Sequence, residues 1–311
     1  MSVRRSPSPI PGAAGQFALV TVTHNSAAAL AGLLRTARVH LPEARVVVVD
    51  CASTDETVNI ARGFPSAVVV ALAENVGFGR ANNRGIAEVT EPVTVLVNPD
   101  VELLDGSLRA LAGEAAHADR LLAPLVLSPD GSRQDTVHPP PAGLADAVRA
   151  LVPPAAVPGP AGVALAPWRA DHPRRVGWAV ACALAARTET LRALGPFDES
   201  IFLYSEDMEL GLRAAAEGIP TWFWPAARVL HHRAHTSAVA FGGEPFERLA
   251  RARHDVVARR LGRGRARVDD ALQAATFAGR IAAKWALGRP TDRERRQLAA
   301  VTGLWRGGDR G

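Results

Sequence analysis

Glu206, Asp207 and Glu209 place three carboxylates within four residues of the chain. A carboxylate that faces a cleft near neutral pH can take a proton from an attacking hydroxyl, so a general base is one interpretation. Acidic residues in the first turn of a helix also complement its dipole, and this structural role stays open. Because Glu206 and Asp207 would point about 100° apart on a helix, we expect only one of them to enter a cleft.

A second candidate is Asn98-Pro99-Asp100, which directly follows the apolar run 93–97. One carboxylate and one amide oxygen can help to hold a divalent cation such as Mg²⁺ or Mn²⁺, with diphosphate oxygens completing the coordination shell. Asn, Pro and Asp are also ordinary turn formers, and a turn is the simpler interpretation of this motif taken alone.

Three histidines, His231, His232 and His235, come just after a short apolar run. Imidazole is a common metal ligand and a pH-sensitive base, and three histidines in five residues favour such a role, although a single histidine is usually structural. The spacing of Cys and His matches no zinc module, which argues against a structural zinc site. We expect Cys51 and Cys182 to be reduced, buried thiols, because two cysteines do not make a disulfide framework.

The elements that would position these groups alternate between strands and helices. Apolar, β-branched runs at 17–23, 46–49, 67–72 and 93–97 alternate with helical patterns. This alternation predicts an α/β fold whose mostly parallel sheet is covered by helices on both faces. Ligands bind at the carboxyl ends of the strands in such sheets, and the polar groups at 23–25, 50–53 and 98–100 fall there.

The second half of the chain is less regular. Residues 138–173 are rich in Pro, Ala and Gly, and we expect a mobile loop or a surface excursion with one short helix. The further predictions are a strand at 176–187, helices at 188–194 and 205–218, short strands at 222–224 and 229–230, and two or three helices from residue 244 onward.

Charge is distributed unevenly along the chain. Residues 245–311 hold 16 of the 36 Lys and Arg residues but only 7 of the 31 acidic residues. Such a basic segment favours contact with an anionic membrane, or it is simply a solvated helical face. Nucleic acid is disfavoured as a partner because aromatic residues are not interleaved with the basic ones. The arginines considered for membrane contact are Arg248, Arg251, Arg259, Arg260, Arg263, Arg265 and Arg267.

Targeting signals are not recognisable in the chain. Residues 1–15 contain no apolar stretch long enough for a signal peptide, and we expect them to be disordered. No run of about 18 apolar residues suggests a transmembrane helix. The expected location is therefore cytoplasmic, with peripheral contact at the inner face of the plasma membrane through the basic segment.

Taken together, the motifs resemble the inverting family-2 glycosyltransferases. Within that family the chain is most similar to bacterial rhamnosyltransferases that act on lipid-diphosphate-linked acceptors of actinobacterial cell walls. The segments that carry the resemblance are 20–25 (VTVTHN), 48–55 (VVDCASTD), 74–83 (ENVGFGRANN), 97–100 (VNPD), 195–199 (GPFDE), 202–210 (FLYSEDMEL) and 229–235 (VLHHRAH).

The resemblance implies a GT-A fold and a role for each matching residue. It implies Asp207 as general base with Glu206 beside it, and a divalent cation, Mg²⁺ or Mn²⁺, held by Asp100 and His231. The implied nucleotide-sugar-binding residues are Thr23, Asn25, Asp50, Asn82, Asn98 and Asp100. The implied organisation is a disordered N-terminus at 1–15, a GT-A domain at 16–243 with a nucleotide-binding half at about 16–130 and an acceptor half at about 131–243, and a basic helical extension at 244–311.

The implied reaction transfers a hexose, L-rhamnose from dTDP-L-rhamnose, to a lipid-diphosphate-linked or cell-envelope glycan acceptor. Two positions depart from the family pattern: Asn98 stands where many relatives carry an Asp, and Cys51 stands where an Asn is usual. A family member that binds a nucleotide sugar or lipid-linked glycan without turnover stays open for this reason. Transfer of another sugar, such as galactofuranose, also stays open.

Overall fold

The computed structural model of the chain describes residues 16–232 and 245–307. The predicted disorder of residues 1–15 and the position of His235 lie outside these residues. The strands are β1 Phe17–Thr23, β2 Arg45–Cys51, β3 Ala67–Leu72, β4 Val93–Val97, β5 Val101–Leu103, β6 Leu121–Leu127, β7 Val137–His138, β8 Arg174–Val176, β9 Trp178–Ala179, β10 Ala183–Arg187 and β11 Thr221–His231. The α-helices are α1 Ala27–His40, α2 Thr57–Arg62, α3 Phe78–Ala87, α4 Ser107–Ala116, α5 Leu144–Leu151, α6 Gly159–Leu165, α7 Thr188–Leu194, α8 Glu206–Ala216, α9 Phe246–Leu261, α10 Arg263–Ala286 and α11 Asp292–Gly307.

In the described part of the chain, nine strands form one sheet in the order β3-β2-β1-β4-β10-β6-β11-β5, with β8 added on β11. Strands β1 to β4 run parallel, as their unbroken apolar sequences predict. Strand β10 runs antiparallel to both β4 and β6, and β6 runs parallel to β11. The α/β fold with a mostly parallel central sheet is confirmed.

Each face of the sheet buries its own apolar cluster. On one face, leucines of α1 and α4, among them Leu30 and Leu111, pack against β1, β2 and β4. On the other face, Ile86 of α3 and Leu210 of α8 pack against the same strands. Burial on both faces explains why the strands are apolar at every position instead of alternating. These apolar contacts hold the helices against the sheet, and they fix the position of the helix ends at its carboxyl edge.

The prediction for residues 138–173 is wrong in part. This segment holds α5 and α6 and two short 3-10 helices, Pro154–Ala156 and Pro167–Arg169, instead of one short helix in a loop. It is anchored by aromatic contacts, since the His138 ring stacks on Trp178 with 4.2 Å between the ring centroids. The guanidinium of Arg149 lies 5.7 Å from the centroid of the Trp168 ring. These contacts join residues far apart in sequence, which no local pattern indicates.

Two strand predictions are corrected as well. The run 176–187 is not one strand, because β8, β9 and β10 replace it. The break comes at Gly177, whose N–H donates to His138 O at 2.7 Å and whose missing side chain leaves room for the backbone of Pro139 and Pro140. Conversely, 222–224 and 229–230 belong to one strand, β11, which carries a bulge between Trp224 and Arg228.

Helices α9, α10 and α11 pack on one another after the sheet is complete. Phe246, Ala274 and Val301, one from each helix, meet in a small apolar core. Helix α9 also packs on α8, where Val256 and Val257 contact Met208 and Leu212. Among the described helices, none has both the length and the apolar character needed to cross a bilayer.

Candidate active site

A cavity of about 950 Å³ opens at the carboxyl edge of the sheet. It is bounded by the ends of β1, β2 and β4, by the start of α8, by the end of β11 and by the C-terminal helices. Sequence position alone predicted a site at this edge. The predicted site residues that line the cavity are Thr23, Asn98, Asp100, Glu206, Asp207 and His231.

The other predicted donor-site residues support the loops behind this surface. Asp50 is buried and accepts hydrogen bonds from Thr23 Oγ1 at 2.8 Å, from Ser53 Oγ at 2.5 Å and from Ser53 N–H at 2.9 Å. These bonds follow from the parallel register that places Thr23 opposite Asp50. Asn25 is exposed, and its Oδ1 accepts the Thr54 N–H at 2.8 Å. The ends of β1 and β2 are thus tied together.

Asn82 is also held inside the fold. It is buried, and its Nδ2 donates to Phe78 O at 3.0 Å within α3. Its neighbour Asn83 binds both polar backbone groups of Phe197, donating to the carbonyl at 2.9 Å and accepting from the N–H at 3.0 Å. The segments 74–83 and 195–199 therefore bind each other, and α3 holds the loop that leads into α8.

Asp100 and His231 both line the cavity and contact each other. Strand β5 begins one residue after Asp100 and pairs antiparallel with the end of β11, so that Val101 faces His231. This register places Asp100 Oδ1 at 3.2 Å from His231 Nε2. The His232 N–H donates to Asp100 O at 3.0 Å and fixes the turn. Tertiary pairing has thus joined two residues that are 131 positions apart.

The ring of His231 has its orientation set by Gln134. Gln134 Nε2 donates to His231 O at 2.7 Å, so its Oε1 is the atom that meets His231 Nδ1 at 3.0 Å. Nδ1 must then carry the proton of that hydrogen bond. In a neutral ring Nε2 presents a lone pair to the carboxylate of Asp100, and two acceptors at this distance need a proton or a metal ion between them.

These donors fit a hard divalent cation. Adjacent ligands at about 2.1 Å from an octahedral ion lie about 3 Å apart, which matches the separation of Asp100 and His231. Asn98 Oδ1 is buried at the same cavity and accepts no hydrogen bond from the described residues. Over residues 16–232 and 245–307 no cluster of three His, Cys, Asp or Glu side chains could hold a metal. Oxygen atoms of a bound diphosphate would have to complete the coordination shell of the cation.

Glu206 and Asp207 lie at the first turn of α8, and both line the cavity. The expectation that only one of them enters a cleft is wrong. Four consecutive residues from Tyr204 to Asp207 line the cavity, so the helix points its N-terminus at the cavity instead of presenting one side. Tyr204 and Ser205 hold φ angles of 75° and 65°, a strained conformation that turns the chain into the helix at this point.

The two carboxyl groups differ in their surroundings. Burial, reinforced by the charge of Asp207, raises the pKa of Glu206 to about 8. Burial also raises the pKa of Asp207, but only to about 6, because backbone N–H groups of Met208 and Ala181 stabilise its charged form. Near neutral pH the pair therefore holds one proton, and the lower pKa of Asp207 favours its ionisation before that of Glu206. An ionised, partly buried carboxylate in a cavity is suited to accept a proton.

Several residues of the site were not predicted from the sequence. Gln134 lies in a polar loop without a recognisable motif, and it orients His231. Ala181 N–H lies 3.4 Å from Asp207 Oδ2, and Cys182 O accepts the Asn98 N–H at 2.9 Å. These are backbone contacts, which residue type does not indicate. Cys51 and Cys182 are both buried and neither forms a disulfide, and burial raises the pKa of the Cys51 thiol to about 11.

Known proteins share this fold. A mostly parallel central sheet that is flanked by helices and followed by C-terminal helices is the fold of the GT-A glycosyltransferases. The model of glycosyl transferase family 2 matches residues 18–152. The chain belongs to glycosyl transferase family 2.

A curated relative supports this assignment, and two solved structures match the fold. An N-acetylglucosaminyl-diphospho-decaprenol L-rhamnosyltransferase of Mycobacterium tuberculosis is 32% identical over 220 residues, covering 66% of this chain and 70% of the relative. The mannosyltransferase PcManGT of Pyrobaculum calidifontis, solved with GDP-Man and Mn²⁺, matches with a TM-score of 0.58 at 16% identity, covering 96% of this chain and 82% of that chain. Residues 1–349 of S. aureus TarS, solved with UDP-GlcNAc, match with a TM-score of 0.57 at 16% identity, covering 93% and 80%. At this identity the two structures support the fold alone.

The raised pKa of Glu206 predicts a pH-dependent effect of Glu206→Gln on stability. Between about pH 4.5 and 8 the unfolded glutamate is ionised while the folded one keeps its proton. Over this window the wild-type fold loses up to about 1.4 kcal/mol per pH unit, a loss that the uncharged amide avoids. We expect the free energy of unfolding of Glu206→Gln, relative to wild type, to increase with pH in denaturation measured by circular dichroism.

Glu217→Gln is the matched control, because Glu217 is exposed just past the other end of α8. It removes one charge without touching the cavity. A Glu206→Gln profile that follows the Glu217→Gln profile at every pH would contradict the raised pKa.

Proposed function

We propose that this glycosyltransferase moves L-rhamnose from dTDP-L-rhamnose to a lipid-diphosphate-linked or cell-envelope glycan acceptor, with inversion. The observation that carries the reaction type is that the Asp100–His231 pair and the Glu206–Asp207 pair line one cavity. The choice of sugar and acceptor is supported by the M. tuberculosis relative, whose name specifies a rhamnosyl group and a decaprenol-linked acceptor.

In this proposal the donor lies along the ends of β1, β2 and β4. Thr23 lines the cavity there, and Asp50 and Asn25 hold the loops that form its floor. Asn98 lines the same space, and its Oδ1 is a buried acceptor without a hydrogen bond from the described residues. Asp100 and His231 would hold a divalent cation, which when bound neutralises the negative charge that develops on the departing diphosphate.

The acceptor hydroxyl is activated from the side of α8. Asp207 accepts the proton of the hydroxyl as its oxygen attacks the anomeric carbon, and the bond from that carbon to the diphosphate breaks. Because attack and departure occur on opposite faces, the product has the inverted anomeric configuration. Glu206 remains protonated, and its neutral side chain lets Asp207 carry the only negative charge of the pair.

The protein divides in this proposal as the family pattern implies. Residues 16–243 form the catalytic domain, with a donor half at about 16–130 and an acceptor half at about 131–243, and residues 244–311 form the basic extension. The extension is supported as a separate unit by the small core that its three helices share.

The reaction is tested by incubating the protein with Mn²⁺ or Mg²⁺, a synthetic N-acetylglucosaminyl-diphospho-lipid acceptor, and dTDP-L-rhamnose or UDP-galactofuranose. We expect transfer from dTDP-L-rhamnose, with inversion measured by NMR of the product. Asp207→Asn should keep donor affinity and lower the turnover roughly 10²- to 10⁴-fold, the usual contribution of a general base.

Each other outcome contradicts a separate part of the proposal. Transfer from UDP-galactofuranose but not from dTDP-L-rhamnose would contradict L-rhamnose as the transferred sugar. Donor binding without nucleoside diphosphate release would identify a binding protein instead of an enzyme. Full activity of Asp207→Asn would remove Asp207 as the base. Glu217→Gln again serves as the control.

Cation dependence is tested at Asp100. We expect Mn²⁺ to strengthen binding of dTDP to the wild type in calorimetry and to have little effect on Asp100→Ala, because the cation loses the carboxylate ligand that Asp100 provides. Glu102→Ala is the control, since Glu102 lies two residues away, pairs with Arg35 at 3.1 Å and does not line the cavity. An equal effect of Mn²⁺ on Asp100→Ala and on wild type would reject the cation site.

We further propose that the basic extension contacts an anionic membrane, where a lipid-linked acceptor would reside. Arg259 and Arg260 are engaged with the catalytic domain, since they pair with Asp198 and Glu209. The exposed arginines that support membrane contact are Arg248, Arg251, Arg263, Arg265 and Arg267.

Membrane contact is measured by sedimentation with vesicles of phosphatidylglycerol or of phosphatidylcholine. We expect binding to phosphatidylglycerol only, weakened by combined replacement of Arg263, Arg265 and Arg267 with Gln. Each arginine near an anionic surface contributes about 1 kcal/mol, so the triple variant should lose on the order of a hundredfold in affinity. Unchanged binding of the triple variant would leave these arginines as a solvated face.

A further inference from the structure

The C-terminal helices form one wall of the catalytic cavity. Leu249 of α9, Phe277 of α10 and Val301 of α11 line it, opposite the residues of the sheet edge. Arg253 and Arg293 line the same wall. From the catalytic domain, Trp178 and the exposed ring of Phe202 continue the apolar surface. The cavity is thus polar at the strand ends, and the wall formed by the C-terminal helices combines apolar side chains with two arginines and two glutamines, Gln273 and Gln297.

This wall is held firmly against the helix that carries Asp207. Helix α9 packs its Val256 and Val257 on Met208 of α8. Glu209 of α8 is fully buried and accepts hydrogen bonds from both Arg213 and Arg260. Because the second of these arginines belongs to α9, the wall and the carboxylate pair form a single unit.

Arg253, which lines this wall, has N–H groups that form no hydrogen bond with the described residues. Its Nε and Nη2 bind both oxygens of Asp269 at 2.7 and 2.9 Å, and Gln273 also donates to that carboxylate at 2.9 Å. A guanidinium has five N–H donors, so three of them stay unused by any hydrogen bond among the described residues. A partly buried guanidinium of fixed orientation that lines a cavity is suited to bind an anionic group.

The cavity is large for a small-molecule site. Single-ligand pockets span about 300–1,000 Å³, and this cavity of about 950 Å³ lies at the upper end of that range. A nucleotide sugar would use the polar strand ends and would leave the apolar wall uncovered. The uncovered surface combines aromatic and aliphatic side chains with arginine, which is the chemistry of an amphiphile with an anionic head.

We propose that the wall formed by α9, α10 and α11 binds the isoprenoid diphosphate part of the acceptor. Arg253 and Arg293 contact the diphosphate, and Leu249, Phe277 and Phe202 contact the first isoprene units. The inference rests on the proposed function for the acceptor class, and it gives the basic extension a role in acceptor recognition beyond any contact with a membrane surface.

Farnesyl diphosphate is a soluble probe for this site. Its binding is measured by calorimetry in EDTA, so that a cation at Asp100 does not hold the diphosphate. We expect wild type to bind farnesyl diphosphate more tightly than either farnesol or inorganic diphosphate. Phe277→Ser and Arg293→Ala should each weaken this binding roughly tenfold, because one removes an apolar contact and the other a cation.

Matched controls come from the outer groove of the same helices. Ile281 follows Phe277 by one turn of α10, and Arg295 lies two residues after Arg293 on α11, yet both line a separate groove away from the cavity. Ile281→Ser and Arg295→Ala should therefore bind the probe as wild type does.

Three results would overturn the inference. They are equal losses in the cavity and control variants, farnesol binding as tight as that of farnesyl diphosphate, and inorganic diphosphate binding as tight as that of farnesyl diphosphate. The assay uses no sugar donor, so its outcome is independent of transfer. If Phe277→Ser transfers rhamnose with a normal KM for the acceptor, the proposed acceptor binding by the wall is wrong and the proposed reaction stands. If the protein binds the probe but transfers no rhamnose, the proposed reaction is wrong and the binding site stands.

Discussion

The site depends on two adjacent backbone groups just before β10. Cys182 O accepts the N–H of Asn98, and Ala181 N–H points at the carboxylate of Asp207. One short buried segment thereby links the turn that carries Asp100 to the helix that carries the carboxylate pair. Its position is fixed because β10 is inserted between β4 and β6 and hydrogen-bonds to both. The spacing between the two ends of the cavity is therefore set by the sheet and not by flexible loops.

Backbone strain and an unsatisfied polar atom in residues that line the cavity are offset by stabilising contacts of nearby residues. Tyr204 and Ser205 adopt strained φ angles, and Glu206 Oε2 is buried without a hydrogen bond from the described residues. Such features destabilise a fold, and they persist only where surrounding structure holds them. The support comes from the ion pairs of Glu209 with Arg213 and Arg260, and from Asn83 clamping the segment before α8. The stabilising ion pairs and hydrogen bonds are thus made by residues next to those that carry the strained and unsatisfied groups.

The C-terminal helices complete the cavity instead of merely following the catalytic domain. Some of their arginines hold the helices in place, because Arg253, Arg259 and Arg260 all form ion pairs within the protein. A count of charges along the sequence does not distinguish these paired arginines from the other arginines of the segment. Burial and pairing separate an arginine that orients a wall from an arginine that is available to a surface outside the protein.

The sequence by itself determined the first half of the sheet, the carboxyl edge as the location of the site, and the family. β1, β3 and β4 match their predicted bounds because buried parallel strands are apolar at every position, a signal that is local. What only the tertiary structure decided is which groups meet. Asp100 reaches His231 through the pairing of β5 with β11, Gln134 orients that histidine from an unremarkable loop, and both Glu206 and Asp207 face the cavity because α8 points at it end-on. These outcomes depend on strand register and helix direction, which arise from contacts between distant residues and leave no periodic pattern in the chain.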